Sequence, residues 1–175
     1  KGAILVAASD SKGAIYSAQG LDVEKLQKEK KKSGTVSTFI SGQPISLNDL
    51  FKVPCDILIP AARPDCIHKG NARDIQAKLI LQGANIPATP EAESIFFELG
   101  IINVPDFIAN AGGVICASVE YHGGTETLAF EQITAKIREN TKVVLDRSRG
   151  EKIEPRRAAI DLAKERVRCA MKYRK

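Results

Sequence analysis

Three turns built from small and amide residues carry the side chains best suited to chemistry: Pro60-Ala61-Ala62, Gly83-Ala84-Asn85 and Asn110-Ala111-Gly112-Gly113. Each follows an apolar run. Alanine and glycine allow a flat ligand to lie against the main chain, and an asparagine amide both donates and accepts hydrogen bonds. A fourth candidate is Asp10, which closes the apolar run Ile4-Leu5-Val6-Ala7-Ala8-Ser9. An acid at the carboxyl end of a buried parallel strand is where doubly wound sheets bond a ribose. Each feature also has a plainer reading. Asp10-Ser11-Lys12-Gly13 composes an ordinary turn, Pro60–Ala62 a tight strand exit, and either asparagine a helix cap. Taken together, exits from successive strands converge on one sheet edge, which is where open α/β sheets bind ligands.

The elements that position these turns can be read along the chain. Ile4–Ser9 predicts a strand buried on both faces, as in parallel sheets. Leu21 opens a short polar helix that runs into Lys28-Glu29-Lys30-Lys31-Lys32 and stops near Gly34. Thr35–Phe39 reads as a weaker strand, broken by Gly42 and Pro44, and Ser46–Phe51 as one or two helical turns capped by Ser46. The pattern then alternates: strand Cys55–Pro60, short helix Asn71–Gln76, strand Lys78–Gly83, a helix to Leu99, and strand Ile101–Pro105. The helix start is well marked, with Thr89 as cap, Pro90 in the first turn and Glu91 and Glu93 at the positive end. After Asn110 the chain turns helical, with a break near Gly123-Gly124, a helix from Glu126 to Asp146, a polar linker Arg147–Lys152, and an amphipathic helix Arg157–Tyr173. Short strands alternating with helices predict an α/β domain with a mainly parallel sheet.

A hydrophobic fraction of 43% and a charged fraction of 27% over 175 residues are those of a soluble globular domain. The longest apolar runs are too short to span a bilayer, so no membrane partner is expected. Cys55, Cys66, Cys116 and Cys169 form no CxxC pair and, with His68 and His122, no zinc-ligand spacing, which reads as reduced thiols in a cytoplasmic protein without a bound metal. The net charge of +5 sits in the lysine cluster and in Arg156–Lys175, both interspersed with acids. No nucleic-acid motif accompanies it. The first residue is lysine, and we read it as an internal position of a longer protein.

The segments VAASDSKGAIYSAQGLDVEKL, CDILIPAA, KLILQGANIPATPEAE, NVPDFIANAGGV and RRAAIDLAKERVRCAMKYRK resemble, in order and spacing, the nicotinamide-dinucleotide domain of the glutamate/leucine/phenylalanine/valine dehydrogenase family. The resemblance covers essentially the whole chain. It implies a Rossmann-type, doubly wound, mainly parallel sheet and NAD(P)-dependent oxidative deamination of an L-amino acid to a 2-oxo acid and ammonia. By position it assigns Asp10 and Ser11 to the adenosine ribose, Ala61 and Ala62 to the coenzyme cleft, and Asn85 and Asn110 to the ribose and nicotinamide end. The family's catalytic lysine and aspartate come from a domain N-terminal to these motifs, so no catalytic residue is expected here.

The family's glycine-rich loop precedes the ribose acid by about twenty residues, whereas nine residues precede Asp10. The resemblance therefore implies a domain over 1–146 lacking the first strand and that loop. Residues 147–175 would form a linker and a helix packed on the same domain or on an absent substrate domain. The missing strand predicts either a gap between Ile4–Ser9 and Ile57–Pro60 or a re-paired sheet, and weak dinucleotide binding by the chain alone. Glutamate-specific relatives carry a serine three residues after the valine of NAGGV, where this chain has Ala117; Ser118 lies about 100° further round a helix. Leucine-type members have an apolar residue there, so a branched-chain substrate stays open, as does a non-enzymatic degenerate fragment. Asp10 favours NAD by repelling a 2′-phosphate, while Ser11 and Lys12 leave NADP possible. The parent is expected to be a homo-oligomer, a hexamer by resemblance.

Overall fold

A computed structural model describes residues 2–173; Lys1, Arg174 and Lys175, which the sequence reading includes in its N-terminal domain and C-terminal segment, lie outside the described residues. The fold is α/β. The described residues form two compact units, one up to Asp56 with Arg73–Ala77, the other Ile57–Ala72 with Lys78 onward.

In the first unit, β1 (Ala7–Asp10) and β2 (Gly13–Tyr16) form an antiparallel hairpin in which Asp10 faces Gly13. The two-residue loop Ser11–Lys12 sets the register, and Asp10 Oδ1 accepts the Lys12 amide at 2.9 Å. That turn moves the strand later than the apolar run suggests, and Ile4 is left 71% exposed. The chain continues into α1 (Val23–Ser33), capped by Asp22, whose side chain accepts the Lys25 amide, and closed by Gly34 at φ 78°. β3 (Gln43–Ile45) pairs with β2 on its other side. Pro44, read from sequence as a breaker, is tolerated because β3 is an edge strand.

The strand expected over Thr35–Phe39 is absent. Its Val36 amide donates to Asp10 Oδ2 at 2.8 Å, and Phe39 folds back to the Val36 carbonyl. Donors that a ladder would use are taken by a carboxylate and a turn. Val36 and Phe39 instead pack with Ile15, Leu21 and Leu26 as the unit's core. A 3-10 turn follows at Asp49–Lys52, where Ser46 Oγ accepts the Asp49 amide at 3.0 Å.

The second unit holds the parallel sheet, ordered β4 (Ile57–Leu58), β5 (Leu79–Leu81), β6 (Ile102–Val104). The N-terminal strand, expected to belong to this parallel set, lies in the separate antiparallel sheet. Between β4 and β5 the expected helix is a 3-10 turn, Ala72–Asp74. α2 (Pro90–Glu98) starts as its residues dictate, with Thr89 accepting the Ala92 amide. It buries Ala92, Ile95 and Phe96, and Gly100 at φ 72° turns the chain into β6.

Four helices complete the unit: α3 (Asp106–Ala109), α4 (Gly112–Tyr121), α5 (Glu126–Glu151) and α6 (Pro155–Lys172). Val104 and Ile108 pack with Val144 of α5 and with Ala158 and Ala159 of α6. Arg147–Glu151, expected as a polar linker, continues α5. Arg147 pairs with Glu165 of α6 through two hydrogen bonds of 3.0 and 2.9 Å, and Ser148 turns inward. Their polarity is that of a solvated helix face. Among the described residues no helix is long and apolar enough to cross a membrane, and no His/Cys/Asp/Glu cluster suits a metal ion.

Candidate functional site

Because β4, β5 and β6 are parallel, their carboxyl ends emerge at one edge. The first two exits are stitched together. The Gly83 and Ala84 amides both donate to the Pro60 carbonyl, at 3.1 and 3.0 Å. A Cβ on Gly83 would stand 3.1 Å from Ala61 Cβ, so glycine is what lets the two turns approach this closely. Pro60 is buried, whereas Ala61 and Ala62 face outward.

The third exit joins them through side chains. Asn110 Nδ2 donates to Asn85 Oδ1 at 2.9 Å and reaches the Gly83 carbonyl at 3.5 Å. Two amides separated by the whole of α2, β6 and α3 thus meet at the sheet edge. Next to them Gly112 and Gly113 open α4. The position a Cβ would take on Gly113 has no atom within 4 Å. Nothing in the chain's own packing calls for glycine there, and the space above that backbone is open. Ala117 is exposed on α4, as is Ser118.

Beneath this edge lies a polar network. Gln82 is fully buried and Glu93, Asn103 and Asp106 nearly so. Gln82 Nε2 donates to Glu93 Oε1 at 2.6 Å and to Asn103 Oδ1 at 3.1 Å. Its Oε1 accepts the Asp106 amide at 3.2 Å and Arg156 Nη2 at 3.0 Å. Arg156 also grips both Glu93 oxygens, at 2.5 and 2.7 Å, and Asp106 Oδ1 at 2.9 Å, and its guanidinium lies 5.6 Å over the Phe107 ring. Burial alone would raise the Asp106 pKa, but the Ile86 amide and Arg156 hold it below the usual aspartate range. Burial disfavours the Arg156 charge, yet Glu93 and then Asp106 raise its pKa overall.

Sequence reasoning missed this network and counted Arg156 only among the charges of Arg156–Lys175. A signal was present. Arg156 follows Pro155 in the first turn of α6, the end where a helix dipole disfavours a cation. A cation there needs carboxylate partners.

In the first unit, Asp10 and Ser11 sit at the hairpin turn. Asp10 Oδ1 accepts Lys12 N and Thr35 Oγ1 (3.1 Å), and Oδ2 accepts Val36 N with Lys30 Nζ 4.0 Å away. Burial pushes its pKa up, but these donors prevail and the carboxyl titrates below its ordinary value. In the structure Asp10 organises the turn: both of its carboxylate oxygens are engaged by donors of the first unit, and its side chain is 10% exposed. Ser11 is exposed.

The sequence profile of the Glutamate/Leucine/Phenylalanine/Valine dehydrogenase family matches residues 1–175. A glutamate dehydrogenase of Aeropyrum pernix is 42% identical over 99% of this chain and 44% of its own length. An NAD-specific glutamate dehydrogenase of Staphylococcus aureus is 37% identical over 99% of this chain and 43% of its own. The chain thus spans less than half the length of these relatives. Among solved structures, the hetero-hexameric glutamate dehydrogenase of Thermus thermophilus shares the fold, with a TM-score of 0.83 and 24% identity over 97% of this chain and 41% of that one.

Proposed function

The chain belongs to the glutamate/leucine/phenylalanine/valine dehydrogenase family, and from that membership we propose that it is the coenzyme-holding part of an amino-acid dehydrogenase. The reaction proposed is oxidative deamination of an L-amino acid, glutamate in the first instance, to its 2-oxo acid and ammonia. The observation that carries the reading is the amide pair Asn85–Asn110, 2.9 Å apart at the carboxyl edge of the parallel sheet. Amides that donate and accept match ribose hydroxyls and a carboxamide. Ala61, Ala62 and the open backbone at Gly113 supply a flat wall with no side chain to displace. The residues present therefore fit the coenzyme.

When bound, that coenzyme supplies the acceptor for the hydride leaving the substrate α-carbon. The chain's own residues bind and orient. Asn85 and Asn110 fix the ribose and nicotinamide end, and the small residues let the ring lie against the main chain. Asp10 and Ser11, in the first unit, are assigned to the adenosine ribose by the family resemblance alone. No residue of the chain is assigned the general-base role.

We assign NAD as the coenzyme. Asp10 is anionic at neutral pH and repels a 2′-phosphate, and the Staphylococcus relative is named NAD-specific. Ser11 and Lys12 on the same turn make NADP the second choice. The same reading places the protein in the cytoplasm, as a homo-oligomer of hexameric type. In it residues 1–146 carry the coenzyme site, and the C-terminal helix packs behind. The substrate has a second reading, because Ala117 supplies no hydroxyl for a side-chain carboxylate, which favours a leucine-type substrate. The test is turnover of the gene-encoded protein with glutamate and with leucine, each with NAD and NADP. The proposal expects NAD-dependent turnover of one amino acid, with Ala117→Ser shifting the ratio toward glutamate. Absence of nicotinamide-dependent turnover in all four combinations would overturn it.

A further inference from the structure

We infer that Asp106, held by Arg156, is a positioning residue that sets the Asn85–Asn110 pair by clamping Ile86 in a left-handed backbone; the inference rests on the coenzyme reading for its functional meaning. The residue following Asn85 is unusual. Ile86 is β-branched yet has φ 48°, a region that such side chains rarely adopt, and its own side chain is 55% exposed, so core packing does not impose it. What holds it is polar. The Ile86 amide donates to Asp106 Oδ2 at 2.8 Å, and its carbonyl accepts the Asp65 amide at 2.9 Å.

Asp106 acts on the other amide as well. Its carbonyl accepts the Asn110 backbone amide at 2.7 Å, closing the single turn of α3. One residue therefore touches the main chain next to Asn85 and the main chain of Asn110, and the two side chains meet at 2.9 Å. Asp106 is itself fixed, by Arg156 on Oδ1 and by Gln82 on its amide. Arg156 bonds Asp106 Oδ1 and Gln82 Oε1, and Gln82 in turn accepts the Asp106 amide, so Arg156 acts on the turn through Asp106 and the Gln82 that holds it.

The test uses the 175-residue chain and reads the side-chain amide resonances of Asn85 and Asn110, hydrogen exchange at Ile86, and NADH binding titrated to millimolar concentration. Asp106→Asn keeps the shape but offers a single acceptor oxygen, which cannot serve both Arg156 and Ile86. Ile86 protection should fall about tenfold, and the Asn85 and Asn110 side-chain signals should move toward those of free amides. Adding Ile86→Gly to Asp106→Asn should restore those signals, because glycine holds positive φ without a clamp. A residue that merely supports folding would not be rescued in that way. NADH affinity should fall and recover in the same order. If Asp106→Asn does not fold, Arg156→Lys, which keeps the charge but loses the planar fork, carries the same readouts. Unmoved asparagine signals in either variant, or no recovery with Ile86→Gly, would overturn the clamp. The coenzyme reading is judged separately, by turnover of the gene-encoded protein, and the resonances of the chain judge the clamp.

Discussion

The backbone amide of Asp65 donates to the carbonyl of Ile86 at 2.9 Å, and both residues are left-handed, with φ of 50° and 48°. Two non-glycine residues in this region brace each other across the loop that carries Asn85. Each such conformation costs about 1–3 kcal/mol, less for aspartate, which tolerates it better than a β-branched residue. Ile86→Gly should therefore stabilise the fold by about 1 kcal/mol, and Asp65→Gly by less. Chemical denaturation midpoints will rank them, and a loss of stability in Ile86→Gly would contradict the strain.

Gly113→Ala separates folding from binding. The substituted Cβ meets no atom within 4 Å, and alanine in a helix is favoured over glycine by about 1 kcal/mol. Melting temperature should rise. If the coenzyme lies on that backbone, NADH affinity should fall about tenfold, or ~1.4 kcal/mol. Higher stability with unchanged affinity would move the coenzyme away from the start of α4.

The network around Arg156 should be worth more than any surface pair. Arg156→Met leaves Glu93 and Asp106 buried without their cation, and removing one partner of a buried pair costs about 3–5 kcal/mol. Arg147→Met breaks an equally well-shaped pair with Glu165, but at the surface, where such pairs contribute little. Thermal unfolding of the two variants should show a large drop for the first and almost none for the second.

Acid sensitivity follows from the depressed pKa values of Asp106 and Asp10. A carboxyl with a folded-state pKa below its unfolded value stabilises the fold fully above the unfolded pKa, about 3.9. That contribution disappears as pH falls through the folded-state pKa. Stability should therefore be insensitive to these groups near neutrality and decline below about pH 4. Asp106→Asn should flatten part of that decline in melting temperatures measured from neutral to strongly acidic pH. An unchanged acid slope would mean that Asp106 is not held as its neighbours imply.

What was legible in the sequence was local. Thr89-Pro90 announces the start of α2, Gly100 its end, and Gly34 the end of α1, because caps and left-handed glycines act within one turn. The three strand exits were legible because each is a short run of small and amide residues. Where a donor found a distant partner, the sequence misled. Thr35–Phe39 has strand composition, but the Val36 amide belongs to Asp10, and neither residue reveals that alone. Gln43–Ile45 took its place in the sheet despite Pro44, since an edge strand has no second ladder to break. Arg147–Glu151 looked like a linker because its charges face water, while Ser148 faces inward. Arg156 was hidden by its basic neighbours, and its partners lie 50–74 positions earlier.

That separation has a consequence for how the chain is made. Glu93 and Asp106 leave the ribosome well before the arginine that neutralises them, so the nascent unit carries uncompensated acids until α6 emerges and docks. The amide pair at the rim is thus assembled last, and a nascent chain halted before Pro155 would hold every strand of the parallel sheet without the counter-ion that locks its edge.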